Sequence, residues 1–312
     1  MERGIQVRFV VFTALLLFIV TPVPAQTFIT SDTTINTDVV GSVDVGIDAL
    51  GHIYVPGPTL DLLDHGVIEA NLALYGVSTA NLYGGHVNGD LTTLGPCLVN
   101  IDDGVIAGSL LADQGTVINI AKGHLGALSL HDNSQAYMEA GTGGSVNVTY
   151  DSEFTIRDGS VYNIDLHSHG IANIIGGDIL GGIDSVYLNS LNMSGGHVAG
   201  PVSVSEGSKF DWSGGSIAGA IWAEDASTIR IFGHGLTKTP IAVDPWFGGT
   251  YLLSGWLMDG TDITGKTVNL SSTIGRGYLE LHNVPEPGAF QAFLCGLLPL
   301  GAMRLRGRRM RQ

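Results

Sequence analysis

The sequence predicts an all-β chain wound into a right-handed parallel β-helix of about nine coils, each taking about 18–19 residues. Three observations carry that prediction. A glycine recurs at a nearly constant interval, apolar residues keep fixed distances from it, and the interval changes only inside a turn.

The glycines are Gly66, Gly85, Gly104, Gly123, Gly141, Gly159, Gly177, Gly196 and Gly215, with His234 in the tenth place. Successive spacings are 19, 19, 19, 18, 18, 18, 19, 19 and 19. Three and five residues before each anchor, from the second onward, run two apolar columns, Leu82 to Ile231 and Ala80 to Ile229. Alternation over that distance is the strand period, so both columns point inward from one short strand. A third column lies two residues after the anchor, from Ile68 to Leu236, with Gly143 as its exception. A fourth runs from Leu72 to Ile221 and always precedes the next anchor by the same interval, as Leu72 precedes Gly85 and Val146 precedes Gly159.

The residue missing from the short repeats therefore falls between the third and fourth columns, in small-residue turns such as Asn88-Gly89-Asp90. A loop can lose a residue, whereas a strand that did so would turn its apolar side chains outward. Polar turns such as Asp113-Gln114-Gly115 and Asp132-Asn133-Ser134 close the other corner. A unit this small cannot bury its own apolar face, so copies must stack. Nine coils at ~4.8 Å give a rod of about 43 Å. Asn81, Asn100, Asn119, Asn173 and Asn192 recur at one outward position and predict an asparagine ladder. The hexapeptide repeat of left-handed solenoids is absent, hence the right-handed expectation.

Residues 26–65 fit the period poorly and are read as an N-terminal cap, 66–234 as the repeats, and 235–283 as a C-terminal β cap with hairpin strands around Tyr251 to Thr261. Residues 1–25 read as a secretory signal. Arg3 and Arg8 precede the apolar run Phe9 to Val20, and Val23-Pro24-Ala25 places cleavage between Ala25 and Gln26.

The last segment, 284–312, holds Val284-Pro285-Glu286-Pro287-Gly288, an apolar stretch from Ala289 to Met303, and a cluster of arginines from Arg304 to Arg311. This order closely resembles the PEP-CTERM sorting signal of bacteria that also make exopolysaccharide. The resemblance implies that Pro285, Glu286 and Pro287 are recognised by a membrane-bound exosortase, which removes the tail behind them. Physical chemistry agrees with a C-terminal membrane helix: the stretch reaches roughly 22 Å, enough with snorkelling flanks. The arginines favour the cytoplasmic side and leave the body outside. The alternative reading is a plain membrane anchor behind a stiff Pro-Glu-Pro linker.

Between the two ends the chain carries 27 acidic residues against 7 basic ones, a balance of 20 negative charges. Such a body lacks the basic footprint that nucleic acid requires. Cys97 lies in the body and Cys295 in the terminal apolar run, so a disulfide between them is not expected.

Chemistry is harder to find. Pectate-lyase-like β-helices use an aspartate patch for calcium with an arginine or lysine as base. Here Lys122, Arg157, Lys209 and Arg230 fall in four different columns, and Asp103 and Asp158 lie three coils, roughly 14 Å, apart. His86, His124 and His197 share one column, as do His131 and His167, but none occupy adjacent coils, so no pair shares a metal. His167-Ser168-His169 reads as a solvated corner. Phe210 and Trp212 read as core rather than as a sugar-binding stripe. Asn147, Asn192 and Asn269 begin glycosylation triplets, a pattern frequent by chance. No cofactor is implied.

The sequence thus predicts an exported, non-enzymatic structural or adhesive protein of the cell surface or extracellular matrix. Its precursor is held in the inner membrane, its processing partner is an exosortase, and exopolysaccharide is its setting. The competing expectation is a polysaccharide-binding or polysaccharide-cleaving β-helix protein.

Overall fold

The computed structural model describes residues 26–53, 57–244, 248–271 and 277–285. All regular structure among them is β-strand, wound into a parallel β-solenoid of about 11 turns. The expected C-terminal membrane helix, with Glu286 and Pro287, lies outside the described residues, as does Ala25. No helix among the described residues is long and apolar enough to cross a membrane.

Three ladders of parallel strands form the walls. The first carries the two columns that precede the anchor, in register from Leu62 through Leu82, Ile101 and Ile120 to Met138. It continues through Ile156, Ile174, Met193 and Trp212 to Ile231. The second is only two residues wide and follows the anchor, as in His86–Val87 and Ser160–Val161. The third holds the fourth column, Leu91 on Leu72, then Leu110, Leu128, Val146 and onward to Ile221. Core columns from all three walls meet along the axis and are almost wholly excluded from water.

The lost residue sits where the spacing placed it. Ile106 pairs with Leu125 and Ser109 with Ala127, so three steps on one coil meet two on the next, and strand register resumes at once. The anchor glycines are needed because backbone lies on backbone at that corner. A Cβ on Gly159 would stand 2.5 Å from the carbonyl oxygen of Gly141, and the φ of Gly159 is +89°.

The outward asparagine column forms hydrogen bonds from coil to coil. Asn119 Nδ2 donates to Asn100 Oδ1 at 2.9 Å, Asn100 to Asn81 at 2.8 Å, and Asn81 to the carboxylate of Asp61 at 2.8 Å. Tyr137 and Thr155 interrupt it, and it resumes where Asn192 donates to Asn173.

The coils begin earlier than the period suggested. Gln26–Ile29 pairs with Ser42–Val45, Thr33–Ile35 with Thr59–Leu63, and Asp38–Val39 with Val67–Ile68, so much of the span read as a cap is wound into the ladders. That raises the expected nine coils to about 11. At the other end, His234 and Leu236 leave the columns. Their strand pairs antiparallel with Gly248–Leu257, which in turn pairs antiparallel with Thr267–Ser271. Two strands then rejoin the stack, Val268 over Ile221 and Leu279 over Ile229.

Side chains close this end as well. Asp259 Oδ2 accepts the N–H of Gly215 at 2.6 Å, and Lys266 Nζ donates to the carbonyls of Ile217 and Gly219. They satisfy backbone groups that a further coil would otherwise pair.

Candidate functional site

The first and last described residues, Gln26 and Pro285, lie at opposite ends of the rod. Gln26 starts the first strand of the first coil. At the far end the N–H of Val284 donates to the carbonyl of Gly233 at 2.7 Å, and Pro285, the described residue of Pro285-Glu286-Pro287, is exposed. Pro285 therefore follows directly on the last coil.

Three of the four basic residues of the repeats, Lys122, Arg157 and Arg230, pair with a carboxylate on the preceding coil. Lys122 Nζ lies 3.0 Å from Asp103 Oδ2, and that hydrogen bond raises the lysine pKa. Arg157 lies 3.2 Å from Glu139, and Arg230 forks onto both carboxylate oxygens of Asp211. Each pair spans one coil step, and each is solvated, which makes it worth little to stability by itself. Asp158 accepts the N–H of Gly159 within its own turn at 2.7 Å. These ions do not converge.

Three of the histidines also turn to the next coil. His124 Nδ1 is 2.8 Å from Thr142 Oγ1, His197 Nδ1 is 2.8 Å from Ser216 Oγ, and His131 Nδ1 is 2.7 Å from Thr149 Oγ1. Among the described residues no group of three or more histidine, cysteine or acidic side chains is placed to hold a metal. Cys97 is buried, and burial pushes its thiol up to about 11, so it stays protonated and unreactive. Phe210 and Trp212 are wholly inside, their rings stacked at 6.3 Å. Of the three glycosylation triplets, Asn192 and Asn269 have their amides engaged, by Asn173 and Thr250.

Comparison with known protein families, with curated proteins and with solved structures finds no match to this chain. Its chemistry must be read from its own residues.

Two features escaped the sequence reading. The first is a buried polar column at one fixed offset before most anchors, from Ser78 through Thr116 and Asn189 to Ser227. Its side chains bond back into the corner: Thr116 Oγ1 donates to the carbonyl of Asp113 at 2.8 Å, and Ser227 Oγ to that of Val204 at 2.8 Å. The signal was the constant offset, hidden because serine and threonine in a polar turn look like surface.

The second is the outward face of the third ladder. Asn147, Asp165, Asp184, Ser203 and Trp222 stand there in single file, one per coil. Asp165 is half-buried, and burial followed by the charge of Asp184 raises its pKa, with His167 acting the other way. Two stacked carboxylates with an imidazole beside them can accept and donate hydrogen bonds to hydroxyl groups.

Proposed function

We propose that the chain is an exported, non-enzymatic rod of the cell surface or extracellular matrix, structural or adhesive in role and right-handed in winding. Residues 1–25 direct export, with cleavage between Ala25 and Gln26. Pro285, Glu286 and Pro287 are the recognition element for an exosortase, which acts while the precursor is held in the inner membrane by the segment behind them. The body then stands in exopolysaccharide.

The observation that carries this reading is the placement of the ends. Gln26 opens the first coil and Pro285 follows the last, with a solenoid of about 11 turns between them. A protein handed over by its C-terminal tail would project its first coil farthest from the membrane. The cross-coil ion pairs and the histidine contacts support a structural rather than a catalytic use of polar side chains.

Mass spectrometry of the mature protein from the native host tests the reading. An end near Pro287, lost on Glu286→Ala, is the expected result. An intact Gln312 would make the tail a plain anchor, and retention of residues 1–25 on a cytoplasmic chain would overturn export.

A further inference from the structure

We propose that the outward face of the third ladder binds a neutral polysaccharide chain running along the rod axis, held between exposed aromatic rings over a carboxylate floor. Only its extracellular setting rests on the proposed export, and the two can fail separately.

The floor is the file containing Asp165 and Asp184, about 4.8 Å apart by coil spacing. Trp222 continues the same file two coils further on and is exposed. Tyr150 and Tyr187 stand on the corner at one margin of this face, and Tyr162 on the corner at the other. All three tyrosines are more than half exposed, at 55%, 54% and 58%. The ring of Tyr150 lies 6.3 Å from that of His131, which places it beside the face.

The backbone beneath two of these rings fixes where they stand. Tyr150 has a φ of +50° and Tyr187 of +72°, followed by Leu188 at +58°. The neighbouring coils turn this corner at positive φ as well, with the shorter or polar residues of Asp132-Asn133, Ser168-His169, Glu206-Gly207 and Asp225-Ala226, so the turn sets large rings at the margin of the face only here. A bulky residue there is disfavoured, and no core packing offsets it, because these rings face water.

The ligand class follows from the chemistry. An aromatic face takes the apolar C–H face of a pyranose ring, while carboxylate, amide and imidazole groups bond its hydroxyls. Tyr150 and Tyr187 are two coils apart, roughly 9.6 Å, close to the span of a disaccharide. The 20 negative charges of the body repel polyanions, so the chain it takes is neutral.

Affinity electrophoresis of the full-length protein, kept in a non-glycosidic detergent, tests this. Hydroxyethylcellulose, glucomannan and dextran serve as neutral probes, with alginate as the anionic one. Retardation by a neutral probe is expected, weakened at least tenfold in Y150N/Y187N. Asparagine tolerates the left-handed corner, so this variant keeps its thermal midpoint or raises it. Tyr278→Asn, on the first ladder, leaves binding unchanged. No retardation by any neutral probe, stronger binding to alginate, or full binding by Y150N/Y187N would each overturn the proposal.

Discussion

A Cβ added to Gly143 would stand 3.4 Å from Cγ1 of Val161, at ordinary contact distance. The glycine interrupts an otherwise apolar core column. Beside it lies a void of about 10 Å³ lined by Ile120, Leu125, Met138, Phe154 and Val161. Its φ is outside the left-handed region. Gly143→Ala should therefore stabilise the fold by about 1 kcal/mol, through burial and reduced freedom of the unfolded chain. A higher midpoint in urea denaturation is the measurement, and a lower one would mean that the column cannot accept a methyl group.

Asn100 sits in the middle of a run of side-chain hydrogen bonds, donating to Asn81 and accepting from Asn119. Asn100→Ala removes both and should cost roughly 1–2 kcal/mol. Asn100→Asp keeps the acceptor but cannot donate when ionised, so its loss should be pH-dependent. Denaturation of both variants at neutral and acid pH separates the two contributions.

Asp165 has a folded-state pKa above its ordinary 3.8 because burial and Asp184 disfavour its charge. The folded state thus holds the proton more tightly than the unfolded state. This favourable difference is complete below the unfolded pKa and is lost as pH rises through the folded one. Asp165→Asn should be more stable than the natural chain at pH 7, with an advantage that shrinks below about pH 4. Urea midpoints at pH 7 and pH 3 check the sign. An advantage that grew on acidification would contradict it.

Lys266 closes the last coil through two carbonyl groups. Lys266→Ala leaves the oxygens of Ile217 and Gly219 without that donor, and should destabilise the C-terminal end by roughly 1–2 kcal/mol. Hydrogen exchange should quicken at Ile221–Ala223 and Thr267–Ser271 while Leu98–Ala112 keeps its protection. Equal acceleration in both regions would show that the end is not a local unit.

The middle of the rod was legible because translation repeats the same contact. Once Leu82, Ile101 and Ile120 kept a constant distance from their glycines, their stacking followed from the need to bury them. The first coils were not legible, since their lengths break the period. The turn that carries Gln26 to its partner Ser42 is far shorter than the one that carries Val43 to Leu72, where Ile47 bridges antiparallel to Ile53 outside the ladders. The tyrosines at left-handed corners were invisible for another reason. Nothing in residue type signals positive φ at Tyr150 or Tyr187, where stacking on neighbouring coils imposes it.

The fixed stretch of chain from the fourth column to the next anchor makes reach a graduated property of this molecule. Excising one whole repeat, such as 105–123, returns the chain to an equivalent point one floor lower. The shaft shortens by about 4.8 Å while its cross-section is kept. Whatever stands on the outside is thereby carried along the axis in discrete steps.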